Sequence, residues 1–188
     1  MRVIAGKYRS RALQSLRGLD VRPTADRLRE TLFNVLTAGN PEALEGTVWV
    51  DLFAGTGAVG IEALSRGAGM VYFAEPAPRV AALIRENLES LGVENGFQIL
   101  KQGAVFALRG LETQKVTAGF VFLDPPYRLS EAYQHTLEAL SKSSVVKAES
   151  VVIAEHEKRF DPGEEFGTLR RYRKLEQGDA ALSFYRKA

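Results

Sequence analysis

The sequence predicts an α/β protein: a Rossmann-like, doubly wound, seven-stranded sheet, mostly parallel, with an antiparallel strand at its C-terminal end. Three observations carry this. Apolar runs of strand length recur at 47–51, 70–75, 97–100, 118–123 and 150–155. The segments between them place apolar residues at helical spacing. Runs 170–175 and 180–186 then alternate around Gly178-Asp179 with no helix between them, as an antiparallel hairpin does.

The elements follow in order. Residues 2–5 and 11–14 read as two short strands joined through Gly6-Lys7-Tyr8-Arg9-Ser10. Tyr8, between two cations, is either a packing residue or a ring for stacking bases. Thr24 reads as the N-cap of a helix in which Leu28, Leu32, Val35 and Leu36 form one apolar stripe. Arg22, Arg27 and Arg29 cluster near the start of that helix, where phosphate is favoured, or else form a solvated face with Glu30. Gly39-Asn40-Pro41 ends it. The stretch 47–75 is strand, glycine turn, helix and second strand. A helix over 79–91 buries Val80, Leu83, Ile84, Leu88 and Leu91, with Gly92 as its C-cap. A short helix or turn spans 103–109, and Ser130 caps a helix running to about Leu140.

Composition narrows the function. With 45% hydrophobic residues the chain can build a core. It has no cysteine and only two histidines, His135 and His156, so disulfides and thiolate sites are excluded and no metal site is expected. No apolar run approaches a membrane span and no signal peptide is indicated, which suggests a cytoplasmic protein. Charge is uneven. Residues 1–30 hold eight basic and three acidic side chains; the remaining residues hold 17 and 20. A polyanion-binding arm on a near-neutral body fits that pattern. The division expected is a basic N-terminal hairpin and helix over 1–38, facing RNA, and a catalytic domain over 39–188. Removing the arm is expected to weaken RNA binding and leave cofactor affinity unchanged.

Gly55-x-Gly57-x-x-Gly60 matches a dinucleotide fingerprint, and an NAD-dependent oxidoreductase is one reading of it. Asp51, just upstream, disfavours a pyrophosphate and suits the cationic sulfonium of S-adenosyl-L-methionine. Thr56 adds a hydroxyl for a cofactor carboxylate. Glu75, closing the second strand, is placed for both ribose hydroxyls, a role it would serve in either cofactor class. Asp124 ends the fourth strand, at the same sheet edge as Asp51 and Glu75. Pro125 and Pro126 remove two N–H donors, so the turn presents only acceptors. Such a set suits an exocyclic amine, and Tyr127 offers a face for an extruded base. His156 reads as a packing or surface histidine.

The motifs Asp-Leu-Phe-Ala-Gly-Thr-Gly at 51–57 and Asp-Pro-Pro-Tyr at 124–127 resemble class I S-adenosylmethionine-dependent methyltransferases acting on an exocyclic amine. Met1-Arg-Val-Ile-Ala-Gly, the stretch Arg22 to Asn34, and the closing Ala181-Leu-Ser-Phe-Tyr-Arg make the chain similar to the RsmD family, over nearly its whole length. The resemblance implies methylation of the N2 amine of one guanine in 16S rRNA, by base extrusion and direct methyl transfer. It implies Asp124, Pro125, Pro126 and Tyr127 as catalytic. Asp51, Phe53, Ala54, Gly55, Thr56, Gly57, Glu75, Pro76, Gly103 and Ala104 would bind the cofactor. Arg2, Lys7, Arg9, Arg11, Arg22, Thr24 and Arg27 would bind RNA. The partner implied is small-subunit rRNA, naked or in an assembling ribosomal particle. One departure stands out: where this class often carries an acidic or amide side chain after the third strand, this chain has Gly103, after Gln102. The adenine contact would then come from backbone or from Gln102. Two further readings remain: an N6-adenine DNA methyltransferase, and a non-catalytic RNA-binding or assembly protein.

Overall fold

The structure is a computed structural model that describes residues 1–15, 23–126 and 130–188. Its elements run α1 (Pro23–Leu36), β1 (Val48–Asp51), α2 (Ala58–Ser65), β2 (Met70–Ala74), α3 (Pro78–Ser90), β3 (Phe97–Leu100), α4 (Ala104–Thr113), β4 (Ala118–Leu123), α5 (Ser130–Lys142), β5 (Val146–Glu157), β6 (Glu165–Phe166), β7 (Leu169–Gln177) and β8 (Ala180–Lys187). One eight-stranded sheet has the order β3-β2-β1-β4-β5-β8-β7-β6. Strands β1 to β5 pair in parallel. Strand β8 inserts antiparallel between β5 and β7, and β6 closes the far edge. The sheet therefore has eight strands where the sequence suggested seven. The extra one, β6, is two residues long and carries no periodic signal.

Alternation along the strands sorts side chains onto two faces. Trp49, Phe122, Ile153 and Phe184 face one core with α1, α2 and α3. Val50, Leu123, Ala154 and Tyr185 face the other with α4 and α5. On the first face Trp49 stacks on Phe33 of α1 at 5.2 Å and on Phe120 at 5.5 Å. Phe33 is fully buried, a contribution the expected α1 stripe left out. Helix α1 begins at Pro23, whose fixed φ suits a first helical position, so Thr24 lies within the helix rather than ahead of it. Ser130 likewise opens α5 from inside.

Residues 1–15 pack on the first core through Val3 and Leu13. The expected hairpin reduces to a single antiparallel bridge, Arg2 with Ala12. Other backbone donors of this arm go to α2: the N–H groups of Ile4 and Ala5 donate to Glu62 at 2.7 and 3.0 Å, and that of Tyr8 to Ser65 Oγ at 2.9 Å. Glu62 is fully buried and also pairs with Arg66 at 2.7 Å and Arg29 at 3.9 Å. Arg29 is itself buried, bonded to the Arg2 carbonyl and to Asp26. It therefore holds the arm onto α1 and does not join a phosphate-facing cluster.

Candidate active site

The carboxyl ends of β1, β4 and β5 meet at one edge of the sheet, and each carries an acid. Asp51 closes β1, Asp124 follows β4, and Glu155 lies near the end of β5. Asp51 pairs laterally with Phe122, and Leu123 with Ala154, so Asp124 and Glu155 follow adjacent partners in neighbouring strands. By alternation all three acids lie on the face covered by α1.

The environment is costly for negative charge. Asp51 is 1% exposed, and its Oδ1 has no hydrogen-bond partner. Burial pushes its carboxyl up to about 7, Asp124 and Glu75 add to the rise, and the N–H groups of Gly60 and Phe53 oppose it. Burial also raises Asp124 to about 7. Glu155 is pushed well above the ordinary range by burial and by Asp124 and Asp51, with Arg29 pulling the other way. Sequence reasoning placed Glu155 only as the end of a strand. Its parity with Asp51 and Asp124, at the corresponding strand end, was the signal available.

The glycine turn joins β1 to α2. Gly55 and Gly57 have φ of +52° and +80°, the left-handed region where glycine is favoured. Gly60 does something else: a Cβ there would stand 2.3 Å from the Phe73 ring, so it lets α2 close onto β2. The Glu75 carboxylate accepts the Gly55 N–H at 3.2 Å and the Ala77 N–H at 2.9 Å, tying the end of β2 to the turn. Phe53 is half-buried against the second core, and Ala54 is buried with its N–H donated to the Ala74 carbonyl. Pro76 is exposed beside Glu75. The Thr56 hydroxyl lies 3.7 Å from Met1 Sδ. Its carbonyl accepts from Asn87 Nδ2 at 3.0 Å, and Asn87 also exchanges two bonds with the Gln14 backbone. Asn87 is fully buried in α3, and no sequence pattern marked it. Gly103 precedes α4 with nothing within 4 Å of a Cβ position, and Ala104 is buried as the first residue of that helix.

Pro125 is buried and Pro126 exposed, while Tyr127 lies outside the described residues. Arg22 lies outside them too, as does the Thr24 side chain. Arg2, Lys7, Arg9, Arg11 and Arg27 are exposed. Arg11 donates to the Ser90 carbonyl at 2.8 Å, and the Lys7 ammonium sits 5.2 Å over the Tyr8 ring, which packs half-buried on the first core. His156 faces away from the acids. It is buried between Ser183 Oγ at 2.9 Å and the Glu157 carbonyl at 2.8 Å, a packing histidine whose pKa burial lowers. Among the described residues no cluster of acids and histidines could hold a metal ion, and no helix is long and apolar enough to cross a membrane.

A family model described as conserved hypothetical protein 95 matches residues 1–186. The ribosomal RNA small subunit methyltransferase D of Haemophilus influenzae is 35% identical over 161 residues, 84% of this chain and 79% of that one. The chain belongs to the RsmD family of rRNA methyltransferases. Its RsmD relatives include proteins matched end to end: the candidate rRNA methyltransferase YlbH of Bacillus subtilis is 30% identical over 187 residues, 100% of this chain and 99% of that one. The RsmD-type sheet also recurs in solved structures. A methyltransferase described from Escherichia coli, yhhF, superposes with a TM-score of 0.83 at 26% identity, covering 100% of this chain and 97% of its own. A Thermus thermophilus 16S rRNA N2 methyltransferase, RsmC, solved with AdoMet and guanosine, shares the fold at a TM-score of 0.72 and 20% identity, over 92% of this chain and 45% of its own.

Proposed function

We propose that this chain transfers a methyl group from S-adenosyl-L-methionine to the exocyclic N2 amine of a guanine in small-subunit (16S) rRNA. The observation that carries the reading is the acid edge. Asp51 Oδ1 is a sealed acceptor without a donor, and Asp124 and Glu155 follow the paired Leu123 and Ala154, one and two strands further on. A cationic cofactor beside Asp51 relieves the first. The guanine edge, with N2–H2 next to N1–H, supplies donors to the other two.

The residues fit the cofactor. Asp51, Phe53, Ala54 and the turn Gly55-Thr56-Gly57 surround its charged end. Glu75 and Pro76 take the ribose, and the open space at Gly103, with Ala104, takes the adenine edge. The cofactor supplies an electrophilic methyl on a sulfonium and leaves as S-adenosylhomocysteine. Asp124 and the Pro125 carbonyl accept the two amine hydrogens of an extruded base, which draws the nitrogen toward tetrahedral geometry and aims its lone pair. Pro126 keeps the turn free of competing donors, and Tyr127 stacks on the base. Once the nitrogen carries the methyl, its proton passes to Asp124 or to water. Residues 1–38, through Arg2, Lys7, Arg9, Arg11, Arg22, Thr24 and Arg27, hold the RNA. Residues 39–188 carry the chemistry in the cytoplasm.

Mass mapping of small-subunit RNA from a strain lacking the gene tests this. The missing modification should be N2-methylguanine, restored by purified enzyme on naked RNA or on an assembling particle. Restoration of a different methylated base, or none, overturns the reading.

A further inference from the structure

The run Arg170-Arg171-Tyr172-Arg173-Lys174 on β7 lies in the part of the chain whose acids outnumber its bases, so overall charge conceals it. The structure sorts its members. Arg171 and Lys174 are bound to Asp161, and Arg170 pairs with Glu165 at 3.2 Å. Arg173 and Arg186 form no ion pair among the described residues. Between them stands Tyr172, 49% exposed, which with Phe106 is one of two exposed large apolar side chains among the described residues. The register of β7 against β8 shifts between Arg171 and Arg173, a bulge that sets Tyr172 and Arg173 together opposite Phe184. The Arg186 guanidinium covers its ring at 4.8 Å, and both Arg173 and Arg186 act electrostatically on its phenol.

The position matters. The Tyr172 ring lies 6.3 Å from Phe184, so it belongs to the face that also carries Asp51, Asp124, α1 and the basic arm. Phe184 pairs with Ile153, two residues short of Glu155, and three strand spacings separate β7 from β4, roughly 15 Å. The arm packs on α2 and α3, on the other side of the acid edge. Two cationic surfaces thus flank one site on a single face.

We propose that Tyr172, Arg173 and Arg186 form a second RNA-binding surface, a stacking platform for an unpaired base a few nucleotides from the methylated guanine. The inference rests on the reading of the acid edge as an rRNA site. An aromatic ring backed by guanidinium and left open to solvent suits a base, whose π-face stacks regardless of sequence, and the unpaired cations suit its phosphates. A single platform also explains how a chain this short keeps hold of RNA on the side away from its arm.

The test uses full-length protein and transcribed small-subunit rRNA in filter binding across a KCl series. Tyr172→Ala should weaken binding about tenfold. Tyr172→Phe should hold wild-type affinity, and Tyr172→Leu, which keeps bulk without a π-face, should fail as Ala does. Arg173→Ala with Arg186→Ala should flatten the salt slope by about one to two. Cofactor affinity by calorimetry should hold in every variant. Wild-type binding and slope in Tyr172→Ala and in the double Arg variant overturn the proposal while methyl transfer by the wild type stands. If Tyr172→Ala unfolds, the double Arg variant decides. A wild type that methylates no RNA removes the parent reading instead.

Discussion

Replacing Asp51 by Asn removes one charge from the most enclosed acid of the site and keeps its shape. In an unfolded chain this carboxyl ionises near 3.8, and in the folded protein at about 7. Between those values the folded state holds a proton that the unfolded state has lost. The stability this group contributes in acid therefore disappears as pH rises through 7. At pH 8 the folded protein carries a penalty of about 4 kcal/mol that Asn does not have. The amide meets the N–H groups of Gly60 and Phe53 less well than a carboxylate does, which returns about 1–2 kcal/mol. Asp51→Asn should then be more stable than wild type at pH 8 by about 2 kcal/mol, roughly 6 °C in Tm for a chain of this size. At pH 5 the penalty shrinks to about 1.6 kcal/mol and the difference should vanish. Urea unfolding of the cofactor-free proteins at both pH values measures this. S-adenosylmethionine should raise the wild-type midpoint and leave the variant's unmoved. A variant less stable than wild type at pH 8, or displaced equally at both pH values, would refute the account of Asp51 as a strained acid held for a cation.

Four other outcomes follow from the same geometry. Asp124→Ala should abolish methyl transfer in single-turnover assays while calorimetry still shows cofactor binding. In the wild type the rate should climb as pH passes about 7, because the ionised form of Asp124 accepts the amine and its pKa is raised to about 7; a flat profile from pH 6 to 8 contradicts that role. Glu62→Ala should cost about 3–5 kcal/mol in urea unfolding, since it strands Arg66, Arg29 and two backbone donors around a buried hole. Gly60→Ala should cost about 1–3 kcal/mol through the clash with Phe73, and a neutral result would mean that α2 can move away from β2.

Much of this molecule was legible before its structure. Runs such as Val48–Asp51 and Ala118–Leu123 are buried on both faces, and continuous apolar sequence reports that directly. That Asp51, Glu75 and Asp124 stand at one edge of the sheet was legible because parallel strand ends in this fold point one way. What escaped depends on contacts distant in sequence. Glu62 looks like an ordinary helical acid, and only the arm, 57 and 58 residues earlier, shows why it is buried. Asn87 has the same character: its partners are Gln14 and Thr56. The arm was expected to be separable from the cofactor; the bonds from Gln14 through Asn87 to Thr56 join it to the glycine turn, so its removal should also be read in cofactor affinity. Glu155 was placed in its strand and not in the site, because its meaning lies in the lateral pairing of β5 with β4. On β7, nothing in the sequence separates the cations that Asp161 engages from those facing solvent.

Chain termini commonly fray, opening far more often than the core. The bonds to Glu62 change that expectation for residues 1–15. If Ile4 and Ala5 lift away, Glu62, which has no exposed surface while they are bonded to it, loses two donors and the segment that helps to bury it. Opening of the first residues is therefore coupled to opening of α2. In hydrogen–deuterium exchange the amides of Ile4 and Ala5 should slow to the pace of that helix, so that the beginning of the chain opens with α2 and not ahead of it.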